Sequence, residues 1–169
     1  MIAAVVNTLL PPSWTAWVAG TPLAAAMREG VWLYPLVETV HIVGFALLVG
    51  AVAMFDLRVL GCARGLPVRA LGRHLLPWAI GSLLLIVPAG LLMFTSQPAQ
   101  FAANGTFQLK LALIAAAGIN AAAFHLGVYR GVARWDVGAA APVGAKVHAL
   151  LSLLLWVGVI GCGRLLAYA

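Results

Sequence analysis

Histidine is the residue type in this sequence best suited to bind a cofactor. The chain has four histidines, and each lies within or at the edge of one of four long apolar stretches: His41, His74, His125 and His148. A neutral imidazole is an axial ligand of haem iron, and histidines on facing helices can hold a haem inside a membrane bundle. The distribution therefore predicts a histidine-bound haem b.

The rise of an α-helix, about 1.5 Å per residue, gives the depth of each histidine in a membrane. His74 and His148 begin their stretches, and His125 lies about 7 Å along the axis from Arg130, near the same surface. His41 belongs to the other half of the membrane. We therefore expect one haem rather than two, held by two of His74, His125 and His148, and the sequence does not select the pair.

A second haem or a copper ion would need His41 as a ligand. Met93 lies at a similar depth and offers a thioether to iron or copper, and Cys162 offers a soft thiolate to copper. No spacing motif connects the three residues. Copper therefore remains the alternative metal, with the four histidines and Met93 as candidate ligands.

Glu38 and His41 form a second candidate site. They are three residues apart, so they share one face of a helix. Ionisable groups within a membrane span are costly and usually functional. We predict that this pair is catalytic and relays protons to a quinone at the outer leaflet; the alternative is that one residue is a ligand and the other orients it.

Other polar residues in the apolar stretches would support these sites. Arg58 and Arg73 are candidates for binding haem propionates, because arginine pairs with carboxylates through two hydrogen bonds. Asn120 lies deep in its stretch, where an amide needs a hydrogen-bonding partner. Lys110 lies near the start of the same stretch and can extend its ammonium group outward to the lipid headgroups.

The composition excludes a soluble globular domain. Of the 169 residues, 64% are hydrophobic and 8% are charged, and the mean hydropathy is +1.06. Such values indicate an integral membrane protein within a lipid bilayer. The net charge is +6, but no basic face is interleaved with aromatic residues, so we expect no nucleic-acid partner.

Four apolar runs are long enough to cross a bilayer as helices: residues 31–57, 75–94, 107–129 and 147–168. They predict an all-α fold, an up-down four-helix bundle that forms one domain over residues 1–169. Residues 1–30 are expected to form interfacial helices, with Thr21 and Pro22 at a helix start. The first ten residues lack the features of a cleaved signal peptide.

The basic residues predict how the bundle is oriented. Seven of the ten Lys and Arg lie in the loops after the first and third runs. The positive-inside rule then places these loops in the cytoplasm of a bacterium, with both termini in the periplasm and the bundle in the inner membrane. Cys62 and Cys162 fall near opposite membrane surfaces, so we expect no disulfide between them.

Segments from nearly the whole chain resemble a family of small bacterial four-helix membrane proteins of unknown function. The resemblance is carried by Thr21-Pro22-Leu23, Arg28-Glu29, Trp32, Pro35, Glu38, His41, Gly44, Asp56-Leu57-Arg58, Gly61 and residues 156–164. In its plan the chain is also similar to cytochrome b561-like and copper-resistance-type membrane proteins. That similarity implies a four-helix core whose histidines bind haem b or handle copper.

These observations lead to one expected function and one alternative. We expect a membrane b-type cytochrome, or a cytochrome-like subunit, that transfers electrons between a quinol and a redox partner protein, alone or within a larger membrane complex. The alternative is a non-catalytic accessory subunit or a metal-handling transport protein whose histidines are structural.

Overall fold

The computed structural model describes residues 12–168 and confirms an all-α membrane bundle. Four helices are long and apolar enough to cross a membrane: α3 (Leu33–Leu60), α4 (Val68–Ser96), α6 (Gly105–Leu126) and α7 (Val143–Leu166). Their outer surfaces are covered by exposed apolar side chains, such as Leu84 at 78% and Ile119 at 71%. A surface of this kind is stable in a lipid bilayer and not in water.

Each span extends beyond its predicted apolar run at one end or both. Three of them stop short at the other end, starting at residue 33 rather than 31 and ending at 126 rather than 129 and at 166 rather than 168. The second span starts at residue 68 rather than 75, because the Arg-containing segment before His74 is already helical. Hydropathy marks the part of a helix that lies in hydrocarbon, whereas backbone hydrogen bonding continues into the polar layer. The same helix contains Pro77 and Pro88 without ending at either.

Two short helices precede the bundle, α1 (Pro12–Ala19) and α2 (Pro22–Glu29). Thr21 is the N-cap of α2, and its side chain accepts a hydrogen bond from the amide of Ala24 at 3.2 Å. The predicted helix start at Thr21 and Pro22 is therefore confirmed. The prediction about a signal peptide concerns the first ten residues, which lie outside the described part of the chain.

The four spans pair as two hairpins. Helix α3 packs along α4, α6 packs along α7, and the hairpins meet mainly through α3 and α7. Gly44 allows the close approach of α3 to α4, because a Cβ atom there would lie 3.0 Å from Leu85 Cβ. Helices α4 and α6 make no comparable contact, which leaves space between the hairpins.

Arg58 joins the loops at one end of the bundle, which we call the basic end; it comprises residues 61–67 and 127–142. The guanidinium is buried, with 2% of the residue exposed. It donates to the carbonyl oxygens of Leu66 at 2.7 Å and of Arg64 and Asp136 at 3.0 Å. A 3₁₀ helix, Val128–Arg134, follows α6 at this end. The opposite end, where α1, α2 and α5 (Pro98–Ala103) lie, is called the N-terminal end.

Candidate functional site

A polar cavity lies between the four spans in the half of the bundle nearer the basic end. It has a volume of about 110 Å³. All four spans contribute to its wall, which combines apolar residues with five polar ones: Asp56, Asn120, His125, His148 and Ser152. Polar side chains from three separate helices thus face one space inside an apolar bundle.

Asn120 fixes the orientation and tautomer of His148. The Nδ2 atom of Asn120 donates to the backbone carbonyl of His148 at 3.0 Å, so its Oδ1 faces the imidazole, where it lies 2.7 Å from Nδ1. Because an amide oxygen only accepts, Nδ1 of His148 carries the proton and Nε2 is left with a free lone pair. Histidines that bind metals are commonly oriented by a partner on the other ring nitrogen in this way.

His125 faces the same cavity from α6. Its ring packs edge-on against Phe124 and Tyr129, with centroids 5.2 and 5.0 Å away. Phe124 also contacts the His148 ring at 6.1 Å. Within the described residues, neither nitrogen of His125 has a hydrogen-bonding partner in the structure. The cavity therefore has two imidazoles beside one phenyl ring, each with a nitrogen available to a ligand.

Asp56 lies in the wall of the polar cavity and is almost fully buried, with 6% exposed. Ser152 lines the same wall close to the Asp56 carboxyl group. The Oδ2 atom is buried and has no partner among the described residues. Asp56 faces the cavity, whereas Arg58, two residues later, faces the loops. The contribution of Ser152 had no signal in the sequence, because serine is common in membrane helices.

The remaining inner candidates lie away from the polar cavity. His74 is exposed and does not line it, and Arg73 is exposed as well. Arg58 uses its Nε and Nη2 atoms to hold three loop carbonyls. This packing gives Arg58 a structural role and does not support the prediction that it binds a propionate, whereas Arg73 remains accessible.

A wide vestibule opens at the N-terminal end of the bundle. It has a volume of about 800 Å³ and is formed by α2, α5 and the adjacent ends of the spans. Its lining includes the charged residues Arg28, Glu29 and Glu38, with Tyr34 and Phe101 as aromatic residues. The predicted outer residue Glu38 is therefore accessible from a large cleft.

A polar face of α3 leads from this vestibule into the bundle. Tyr34, Glu38 and His41 have the spacing i, i+4 and i+7, which places them along one side of the helix. The Nδ1 atom of His41 lies 2.9 Å from the carbonyl oxygen of Ile86, so it donates to that oxygen. The next residue on this face, Phe45, stacks on the His41 ring.

Lys110 does not extend away from the bundle as the sequence suggested. Its Nζ atom lies 3.8 Å from the position of a Cβ atom on Gly163 of α7. It lies near Cys162 and His41. Lys110 is thus a polar residue beside the polar face of α3 that the sequence did not reveal, because a lysine near a helix end ordinarily reaches the headgroups.

Comparisons with known proteins add no assignment to either site. No family model, no curated protein and no solved structure matches this chain. The resemblances drawn from the sequence therefore stay predictions, and the two sites are interpreted from their own geometry.

The donor atoms at the polar cavity fit haem better than a metal ion held by protein ligands alone. Within residues 12–168, no three His, Cys, Asp or Glu side chains are close enough to hold a metal ion. A haem iron needs only two axial ligands, because its macrocycle supplies the other four. The cavity, at about 110 Å³, is smaller than the roughly 300–1,000 Å³ of cofactor pockets. The chemistry of the donor atoms therefore supports one haem, whereas the volume of the cavity does not.

Proposed function

We propose that this chain is a membrane b-type cytochrome, or a cytochrome-like subunit, that transfers electrons between a quinol and a redox partner. The observation that carries the proposal is the pair His125 and His148 at one cavity between the spans. Bound there, a haem would supply one-electron redox chemistry. The proposal places the basic end in the cytoplasm of a bacterium, in keeping with the positive-inside rule.

The residues of the cavity have separate roles in this proposal. His148 would be the first residue to hold the haem, because Asn120 keeps it in the tautomer whose Nε2 is free to bind iron. His125 is the second candidate ligand. Phe124 packs against both rings. The exposed Arg73 follows Gly72, which lines the cavity, and is the candidate partner of a propionate. We propose one haem rather than two, because only two of the four histidines line this cavity; His41 and His74 do not.

The experiment is a pyridine haemochrome assay on the full chain purified from haem-replete cells. We expect haem b at one per chain, with a Soret band that shifts when dithionite is added. His148→Ala and His125→Ala should each lower the haem content at least fivefold. His74→Ala is the matched control, because this histidine is exposed and away from the cavity, and it should retain the wild-type content.

Two results would contradict the proposal. The first is a folded, colourless protein with no haem in the assay. The second is a haem content that falls equally in all three histidine variants, because binding would then not depend on the polar cavity. Stoichiometric copper or zinc in place of haem would favour the metal-handling alternative instead.

A further inference from the structure

We propose that the vestibule at the N-terminal end binds the headgroup of a quinol, with the Glu38 carboxylate accepting a hydrogen bond from a ring hydroxyl. This inference rests on the proposed function for the identity of the ligand, because a quinol is the electron donor named there. The site itself rests on the geometry of the vestibule and of the polar face of α3.

The size and lining of the vestibule suit an aromatic headgroup that carries hydroxyl groups. Its volume is about 800 Å³, which is ample for a single substituted ring. Tyr34 and Phe101 offer aromatic surfaces, Met27 and Leu166 offer apolar surface, and Gln100 offers an amide. The cleft opens where the spans end, so an isoprenoid tail can extend into the adjacent lipid.

The charges of the vestibule argue against a phosphate as its ligand. Two carboxylates, Glu29 and Glu38, line the cleft with one guanidinium, that of Arg28. The guanidinium is partly engaged, since its Nη1 atom lies 3.4 Å from the carbonyl oxygen of Ser96. A phosphate would meet an excess of acceptor oxygens, whereas a neutral hydroxyl donor would find partners among them.

The polar face of α3 gives Glu38 a neighbour that can share a proton. His41 lies one turn deeper, about 4.5 Å along the axis, and Ile86 holds its ring in place. Lys110 on α6 and Glu38 on α3 both lie near His41. Below His41 the face continues with Phe45, so proton exchange at this site is directed to the N-terminal end of the bundle.

The test is direct binding of ubiquinol-1 to the full chain in phosphatidylcholine nanodiscs, measured by equilibrium dialysis. We expect saturable binding of one molecule per chain. Glu38→Gln should weaken it at least tenfold, because hydrogen bonds to a charged group are the stronger ones. Tyr34→Phe should weaken it about threefold. Glu29→Gln removes a carboxylate from the rim of the same cleft and should change the affinity less than threefold.

Folding of each variant is checked by size-exclusion chromatography and circular dichroism. If Glu38→Gln does not fold, Glu38→Asp and Tyr34→Phe keep the proposal testable, and unchanged affinity in both would overturn it. Absence of saturable binding, or an equal loss in Glu29→Gln and Glu38→Gln, would overturn it too. Displacement of the quinol by phosphatidylethanolamine at equal concentration would show that the cleft is a lipid headgroup site.

The binding measurement does not depend on haem. A haem-free protein that binds ubiquinol-1 through Glu38 would refute the proposed cytochrome and leave the vestibule site standing. A protein that contains haem but does not bind ubiquinol-1 would refute the vestibule site and leave the proposed cytochrome standing.

Discussion

Replacing Asn120 by alanine removes both hydrogen bonds that join the amide to His148 on the neighbouring helix. Hydrogen bonds between membrane helices contribute about 0.6 kcal/mol on average and up to roughly 1.7 kcal/mol each. Asn120 is buried, with 7% exposed, so its bonds should lie above the average. We expect Asn120→Ala to lower the free energy of unfolding by about 2 kcal/mol.

A double-mutant cycle separates the two bonds. His148→Ala removes the ring but keeps the backbone carbonyl that accepts from Asn120 Nδ2. The coupling energy between the two substitutions therefore reports the ring contact alone, and we expect about 1 kcal/mol. The assay is reversible unfolding by sodium dodecyl sulfate in mixed micelles, followed by circular dichroism and tryptophan fluorescence.

Ser82→Ala is the control for the loss of a polar side chain in a span. The Ser82 hydroxyl donates only to the carbonyl of Ala79, one turn away on its own helix, so the variant should change stability by less than about 0.5 kcal/mol. A coupling energy indistinguishable from zero would refute the stabilising role of the Asn120–His148 contact between α6 and α7. An Asn120→Ala effect no larger than that of Ser82→Ala would refute it too.

Two further predictions concern packing and pH. Gly44→Ala should destabilise the protein by about 1–3 kcal/mol, because the new Cβ would lie 3.0 Å from Leu85 Cβ and Ile86 Cγ1. The control is Gly50→Ala, since a Cβ there has no neighbour within 4 Å. This variant should be neutral or stabilising in the same unfolding assay. Burial raises the pKa of the Tyr129 phenol, which lies outside the spans. The folded state therefore holds the phenol proton more tightly than the unfolded state does, and the free energy of unfolding of the wild type should fall as pH rises above about 10. In Tyr129→Phe, the decrease due to this phenol should be absent between pH 9 and 11.

The spans were predictable because hydrophobicity reports length and depth. An apolar run of about 20 residues must satisfy its backbone groups as a helix in hydrocarbon, and all four runs do so in the structure. Their ends were less predictable. The helix α4 starts at residue 68, among arginines. These residues lower the hydropathy from which a span is predicted, but they do not end the helix.

The direction of each side chain around its helix was not predictable. Apolar residues cover all sides of these spans, so no periodicity distinguishes the face toward the bundle from the face toward lipid. Depth alone grouped His74 with His125 and His148, yet His74 faces outward and the other two line the cavity. The partner of Asn120 was expected in kind, because a buried amide needs one, but only the fold identifies it as His148.

Arg58 has a consequence for the order in which the protein assembles during synthesis. Two of its carbonyl partners lie 6 and 8 residues later in the chain, and the third, Asp136, lies 78 residues later. The first hairpin can therefore hold the guanidinium only in part while the second hairpin is still being made. When the second hairpin inserts, the carbonyl of Asp136 becomes the third acceptor of the guanidinium, and this hydrogen bond joins the two hairpins. The hydrogen bonding of this buried guanidinium is therefore complete only when both hairpins are in place.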